Sequence, residues 1–176
     1  MELMRKTLTL LVVLILGFIS IDCVYAETAF RKNPARSFDT KQIERGRYLS
    51  VIAGCNDCHT AGYLLSEGKV PEILWLTGDR FGWRGPWGTT YAVNLRIFIN
   101  TMTEDQWVKT ARTLKTRPPM PWYALNIVKK EDLKAIYQLV RYLGTGGEPA
   151  PTYLPPDQEP MTPYALFPSP PKQDHQ

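Results

Sequence analysis

The sequence predicts an all-α fold, with three main helices and long loops between them. Three segments each join a capping signal to apolar residues at helical spacing. The long stretch between the first and second of these shows little helical period. Of the 176 residues, the portion behind an apparent export signal suits one compact domain and a tail.

The export signal comes first. Arg5 and Lys6 precede an apolar stretch from Leu8 to Ile21, broken by Thr9, Gly17 and Ser20, and Val24-Tyr25-Ala26 offers small residues where a signal peptidase reads. Residues 1–26 are therefore expected to be a signal peptide and the mature chain to be periplasmic. The apolar stretch is shorter than the roughly twenty residues a membrane span needs, so a membrane association is expected only if the signal stays uncleaved. Cys23 leaves with the signal, and the mature chain keeps two cysteines.

The first helix is expected from about Thr40 to Ala53, with Asp39 as its cap and Gln42 three residues later. It leads directly into Cys55-Asn56-Asp57-Cys58-His59. A C-x-x-C-H run is the attachment site of a c-type haem. Its two thiols face the two vinyl groups of one porphyrin and become thioethers, and the histidine offers a neutral imidazole nitrogen to iron. A disulfide redox site would want a βαβ pattern around the pair, and helical signals flank it instead. A structural zinc needs four ligands, and the histidines are only His59 and His175, the latter on a polar tail.

Residues 60–102 form a long glycine-rich region containing Trp75, Trp83 and Trp87, with Tyr91 to Leu95 as a short extended piece. So long a loop is expected to be functional or wrapped around something; its aromatics suit either a macrocycle or a plain aromatic core. The second helix begins after Thr103, where Gln106 completes a capping box and Trp107, Ala111 and Leu114 share one face. The third runs from about Glu131 to Leu143 on the stripe Leu133, Ile136, Tyr137, Val140 and Leu143, and Gly144, Gly146 and Gly147 stop it. Residues 148–176 hold nine of the fifteen prolines. They read as an extended tail that either drapes over its own domain through Tyr153, Leu154, Tyr164 and Phe167 or docks on a partner.

A haem iron held by His59 has one more axial position, and the candidates are Met102, Met120 and Met161. Met120 sits in Arg117-Pro118-Pro119-Met120-Pro121-Trp122, where the prolines stiffen the chain and push Pro119 and Met120 towards extended geometry. A stiff loop can hold a thioether against iron at small ordering cost. Met102 is expected to pack beneath the second helix, and Met161 lies in the tail. The formal net charge of +4 is spread along the chain without a lysine-arginine block. It suggests weak steering towards an acidic redox partner rather than nucleic-acid binding.

On these features the chain resembles class I monohaem cytochromes c, in particular bacterial periplasmic c-type domains found alone or as electron-transfer subunits of dehydrogenases. The matching residues are Gly46-Arg47-Tyr48-Leu49 before Cys55 to His59, Gly85-Pro86-Trp87-Gly88-Thr89-Thr90-Tyr91, Val93-Asn94-Leu95, Thr103-Glu104-Asp105-Gln106-Trp107, Met120-Pro121-Trp122, and Glu131-Asp132-Leu133 with Tyr142-Leu143. They span roughly residues 38–146. The resemblance implies a cytochrome c-like fold around one covalently attached haem c, with Cys55 and Cys58 as anchors and His59 and Met120 as axial iron ligands. It implies that Gly46 crosses the Tyr137 to Val140 face. It also implies that a backbone carbonyl, often of a Gly-Pro pair, orients the proximal imidazole, with Pro71 and Pro86 as sources. Arg117 and Asn94 become propionate or outer contacts, with surface salt bridging as the alternative. Asn94-Leu95-Arg96-Ile97-Phe98 departs from the Asn-x-Thr-Pro-Asp stretch of dehydrogenase-linked relatives.

The expected function is single-electron transfer between redox partners: a dehydrogenase, an oxidase or another cytochrome. One alternative is a fixed subunit of a dehydrogenase complex. Another is a haem catalyst or gas sensor with a displaceable Met120. No catalytic dyad that would make the isolated chain an enzyme is visible.

Overall fold

Asp39, in extended geometry, accepts a hydrogen bond from the Lys41 amide and starts the helix α1, Thr40–Ile52. The structure is a computed structural model that describes residues 38–168; the expected signal peptide and His175 lie outside the described residues. Gly54, left-handed at φ 68°, turns the chain into the short helix α2, Cys55–His59. A 3-10 turn, Glu72–Leu74, leads to strands β1, Gly82–Gly85, and β2, Gly88–Tyr91. Four helices follow: α3, Leu95–Asn100; α4, Glu104–Thr113; α5, Trp122–Asn126; and α6, Lys130–Leu143. Strand β3, Tyr164–Leu166, closes the described part.

Helix α6 is the centre of the packing, in contact with α1, α3 and α4. Its Leu133, Ala135, Ile136, Leu139 and Val140 are buried together with Ile43 and Leu49 of α1, Ile99 of α3, and Trp107, Val108 and Ala111 of α4. These spacings make one apolar stripe per helix, which is why each helix has a single buried face. The close approach of α1 and α6 depends on Gly46. A Cβ there would fall on the Ala135 carbonyl and stand 2.9 Å from Leu139 Cβ. The crossing therefore sits at Ala135 and Leu139, starting nearer the beginning of α6 than the Tyr137 to Val140 face. Trp107 Nε1 donates to the Leu133 carbonyl at 2.8 Å and fixes α4 across α6. Thr103 and Gln106 form the full reciprocal box at the start of α4.

The end of α6 is held by a buried cation. Arg96, on α3, is 3% exposed. It donates to the carbonyls of Gly144 at 2.7 Å, Thr145 at 3.2 Å and Ile73 at 2.6 Å, and to that of Leu143. Gly144 at φ 69° ends the helix and turns those carbonyls outward. The helix's negative end and its free carbonyls offset the cost of burying the guanidinium.

The fold is not all-α. Among the described residues a three-stranded mixed sheet runs in the order β2-β1-β3. β1 and β2 form an antiparallel hairpin from Gly82↔Tyr91 to Gly85↔Gly88, and β3 pairs parallel to β1 from Gly82↔Tyr164. The expectation failed for a physical reason. Gly82-Trp83-Arg84-Gly85 is too short and glycine-rich to show alternation, and its second partner comes from a proline-rich segment about eighty residues away. Trp83 and Trp87 do not stand alone but pack against Phe167 behind β3, with ring centroids 6.0 and 5.3 Å apart.

Replacing Gly46 with alanine forces α1 and α6 apart. The expected cost is about 1–3 kcal/mol of stability, read as a lower urea midpoint with an unchanged helical circular-dichroism spectrum before the transition.

Candidate functional site

Helix α2 presents its chemistry because of its spacing. Cys55, Cys58 and His59 stand at i, i+3 and i+4, which places all three on one side of a single helical turn. Both thiols are free and half-buried. Burial pushes the Cys55 thiol up to about 11. Burial, followed by the neighbouring Asp57 and Asp79 carboxylates, raises Cys58 as well. A disulfide-exchange cysteine needs the opposite shift, towards thiolate, so this pair is poorly suited to that chemistry.

His59 is 7% exposed. Its Nδ1 lies 2.7 Å from the Val93 carbonyl. A carbonyl only accepts, so Nδ1 carries the proton and Nε2 keeps its lone pair free for a metal. Burial lowers the imidazole's pKa, against the opposing pull of the Val93 contact, and favours the neutral ligand form.

The carbonyl comes from neither Pro71 nor Pro86. Segment 76–79 bridges α2 to residues 92–94 and so sets the Val93 carbonyl at Nδ1. The Gly78 amide donates to the His59 carbonyl at 2.8 Å, and the Asp79 amide to that of Ala92 at 3.1 Å. Gly78 has φ 82°, and a Cβ on it would stand 2.8 Å from the Asn94 amide nitrogen. Pro86 lies instead at the hairpin tip, and Pro71 ahead of the 3-10 turn.

Neighbouring side chains secure the same two segments. Thr60 Oγ1 donates to Asn56 Oδ1 at 2.8 Å and accepts from the Leu76 amide at 2.8 Å. Asn94 is buried and fully used: Oδ1 caps α3 through the Ile97 amide, while Nδ2 donates to the carbonyls of Gly146 at 2.8 Å and Glu148 at 3.1 Å. It is the anchor beside Val93, with no group left for a propionate.

Met120 is half-buried and lies in the loop Leu114–Pro121 between α4 and α5. Its carbonyl accepts from the Trp122 amide at 2.9 Å, and Pro121 opens α5. Pro118 and Pro119 form a turn. Thr90 Oγ1 donates to the Pro118 carbonyl at 2.7 Å. The strand that ends at Tyr91 thus holds the Met120 loop through Thr90, and three residues later its continuation holds His59 through Val93. Met102 is half-buried between α3 and α4, and its carbonyl accepts from Tyr137 at 3.0 Å. Met161 is fully exposed. Arg117 stacks on Tyr153, with Cζ 3.7 Å from the ring centroid.

The residues that could hold a cofactor are the Cys55 and Cys58 thiols, the Nε2 of His59 and the thioether of Met120. One imidazole and one thioether form a donor set that suits iron. Val93, Gly78 and Thr90 complete the arrangement and were missed in the sequence. Val93 and Gly78 act through backbone, which leaves no residue-type signal. Thr90 is one threonine among several.

The chain is 29% identical over 134 residues to the fructose dehydrogenase cytochrome subunit of Gluconobacter japonicus, a match that covers 70% of this chain and 25% of the relative. The chain thus spans about a quarter of the length of the curated relative it matches. No family model and no solved structure matches it.

Substituting Asn94 with alanine removes a cap and two donors. The expected loss is about 1–3 kcal/mol, measured by urea unfolding. Asn94→Asp keeps the cap but sets a buried carboxylate oxygen against the Gly146 and Glu148 carbonyls, and should lose at least as much as alanine.

Proposed function

We propose that this chain is a class I monohaem c-type cytochrome that relays single electrons in the periplasm. Cys55 and Cys58 would attach the haem, and His59 and Met120 would ligate its iron. The observation that carries the reading is the His59 Nδ1–Val93 hydrogen bond beside two thiols on the same helical turn. It fixes the tautomer that leaves Nε2 as a donor and strengthens that donor. The likeness to a dehydrogenase's cytochrome subunit supports the same reading. Apolar side chains left to solvent include Ile52 just before Cys55, Tyr123 and Ile127 soon after Met120, and Val93, whose carbonyl meets His59. They are surface that a flat apolar ring would cover.

When bound, a haem supplies a one-electron iron couple. The chain's part is positional. Segment 76–79 and Asn94 hold the imidazole and its carbonyl partner in one orientation, so the ligand has no freedom to swing when charge changes. The stiff proline loop does the same for the thioether, a ligand that favours the reduced metal and raises the potential.

A second reading rests on the relative: the chain serves as a fixed electron-transfer subunit of a periplasmic dehydrogenase. Affinity purification of the full chain from its own periplasm should then bring down a flavin- or quinone-containing dehydrogenase in fixed ratio. Recovery of the chain alone at physiological salt would favour the free carrier.

The carrier reading has its own tests. Cys55→Ser with Cys58→Ser should leave no haem on the chain after denaturing electrophoresis, whereas the wild type keeps it. Met120→Ala should abolish the far-red methionine–iron(III) band and lower the potential by on the order of 0.1–0.3 V, within the range axial ligands span. A Met120→Ala protein with the wild-type band and potential would remove Met120 from the ligand set.

A further inference from the structure

We propose that residues 149–167 form a strap that holds the Met120 loop in place, with Thr90, Arg117 and Tyr153 as positioning residues for Met120. The proposal rests on the reading of Met120 as an axial ligand.

The loop is fixed at its ends by α5. Asn126 Nδ2 donates to the carbonyls of Ala111 at 2.7 Å and Leu114 at 3.2 Å, which ties α5 back to the end of α4. Between these ends, two contacts from other parts of the chain reach the turn before Met120. One is the Thr90 hydroxyl on the Pro118 carbonyl. The other is the Tyr153 ring under the Arg117 guanidinium, close enough for a cation–π contact.

Tyr153 can act as a fixed point because the strap is itself fastened along β1 and β2. Its hydroxyl donates to the Trp87 carbonyl at 2.9 Å, and Leu154 exchanges two backbone bonds with Thr89, at 2.7 and 3.0 Å. Gly88, at φ 93°, lets the backbones meet: a Cβ there would collide with the Leu154 carbonyl and stand 2.9 Å from the Tyr153 hydroxyl. Further along, Arg84 donates to the carbonyls of Pro156 at 3.0 Å and Gln158 at 2.7 Å and pairs with Glu159 at 3.1 Å. β3 then joins the sheet. Thr90 and Tyr153 are thus carried by one rigid unit, and that unit bears on the segment that carries the thioether. Methionine favours reduced iron, so an oxidised centre is where a loosened loop would first give up its ligand.

The test uses the full-length haem-loaded protein and reads two quantities: the far-red methionine–iron(III) band, and the affinity of the oxidised protein for added imidazole. Thr90→Val combined with Arg117→Gln removes one hydrogen bond and one cation–π contact. Imidazole affinity should rise about tenfold, with a matching loss of the band. Tyr153→Leu should do likewise, and Tyr153→Phe, which keeps the ring but loses the bond to the Trp87 carbonyl, should fall between it and the wild type. In a Met120→Ala background the same changes should leave imidazole affinity unaltered. Arg117 is exposed, so Arg117→Gln alone tests the proposal even where Thr90→Val fails to fold. The strap is overturned if Met120→Ala loses the band while the strap variants, folded by urea midpoint, bind imidazole as the wild type does. It is equally overturned if they shift imidazole affinity to the same extent without Met120. A wild-type protein lacking the band, or a Met120→Ala protein retaining it, overturns the ligand reading instead and the strap with it.

Discussion

The rest of the structure depends on the guanidinium of Arg96 lying against the carbonyl end of α6. A cation this deep in the protein, without a carboxylate partner among the described residues, has a desolvation cost that lowers its pKa. The cost is offset because the partners are oriented backbone dipoles: the Leu143 carbonyl at the end of α6, those of Gly144 and Thr145 just past it, and that of Ile73 within the 3-10 turn. One side chain therefore completes the central helix and clamps the 3-10 turn to α3. Close packing adds to this, since a Cβ on Gly146 would stand 2.9 Å from Arg96 Nη2.

That clamp sets the position of the site. Arg96 belongs to the short helix that Asn94 caps, and Val93 immediately precedes the cap. The carbonyl that orients His59 is thus two residues from a helix fixed at both ends: at its start by Asn94 against Gly146 and Glu148 and by Arg96 against Gly144, and at its end by Asn100, whose Oδ1 accepts from Arg141 at 2.8 Å. On the far side, Gly78 presses on Asn94 and bonds to His59. The imidazole is held by backbone that the core has already fixed, so its geometry is an outcome of packing rather than of contacts local to α2.

What was legible in the sequence divides along the same line. The Thr103–Gln106 box and the Leu133-to-Leu143 stripe could be read because capping and amphipathicity are written within one segment. The parallel reading at Asp39 and Gln42 failed in part, since Asp39 takes the Lys41 amide and the Gln42 side-chain oxygen is buried without a partner among the described residues. Residue types and spacing brought out Cys55 to His59 and Met120 as candidates, and the structure adds the Val93 carbonyl at the imidazole. The sheet was not legible, because strands of three and four residues are too short to show alternation and the third comes from far along the chain. Nor was Arg96, which in sequence is a basic residue in a stretch that departs from an expected pattern, and which becomes a helix cap only when α6 arrives beside it.

The crossing at Gly46 also has a consequence in time. α1 and α6 lie about ninety residues apart in the chain, yet each supplies the other's main apolar cover. Contacts so distant carry the entropy cost of closing a long loop before they return any stability. Until α6 has been made and has docked, the apolar face of α1 lacks its main cover. The turn at Gly54 follows directly on α1, so the helix that leads into Cys55 to His59 is settled only when a segment from far along the chain has arrived.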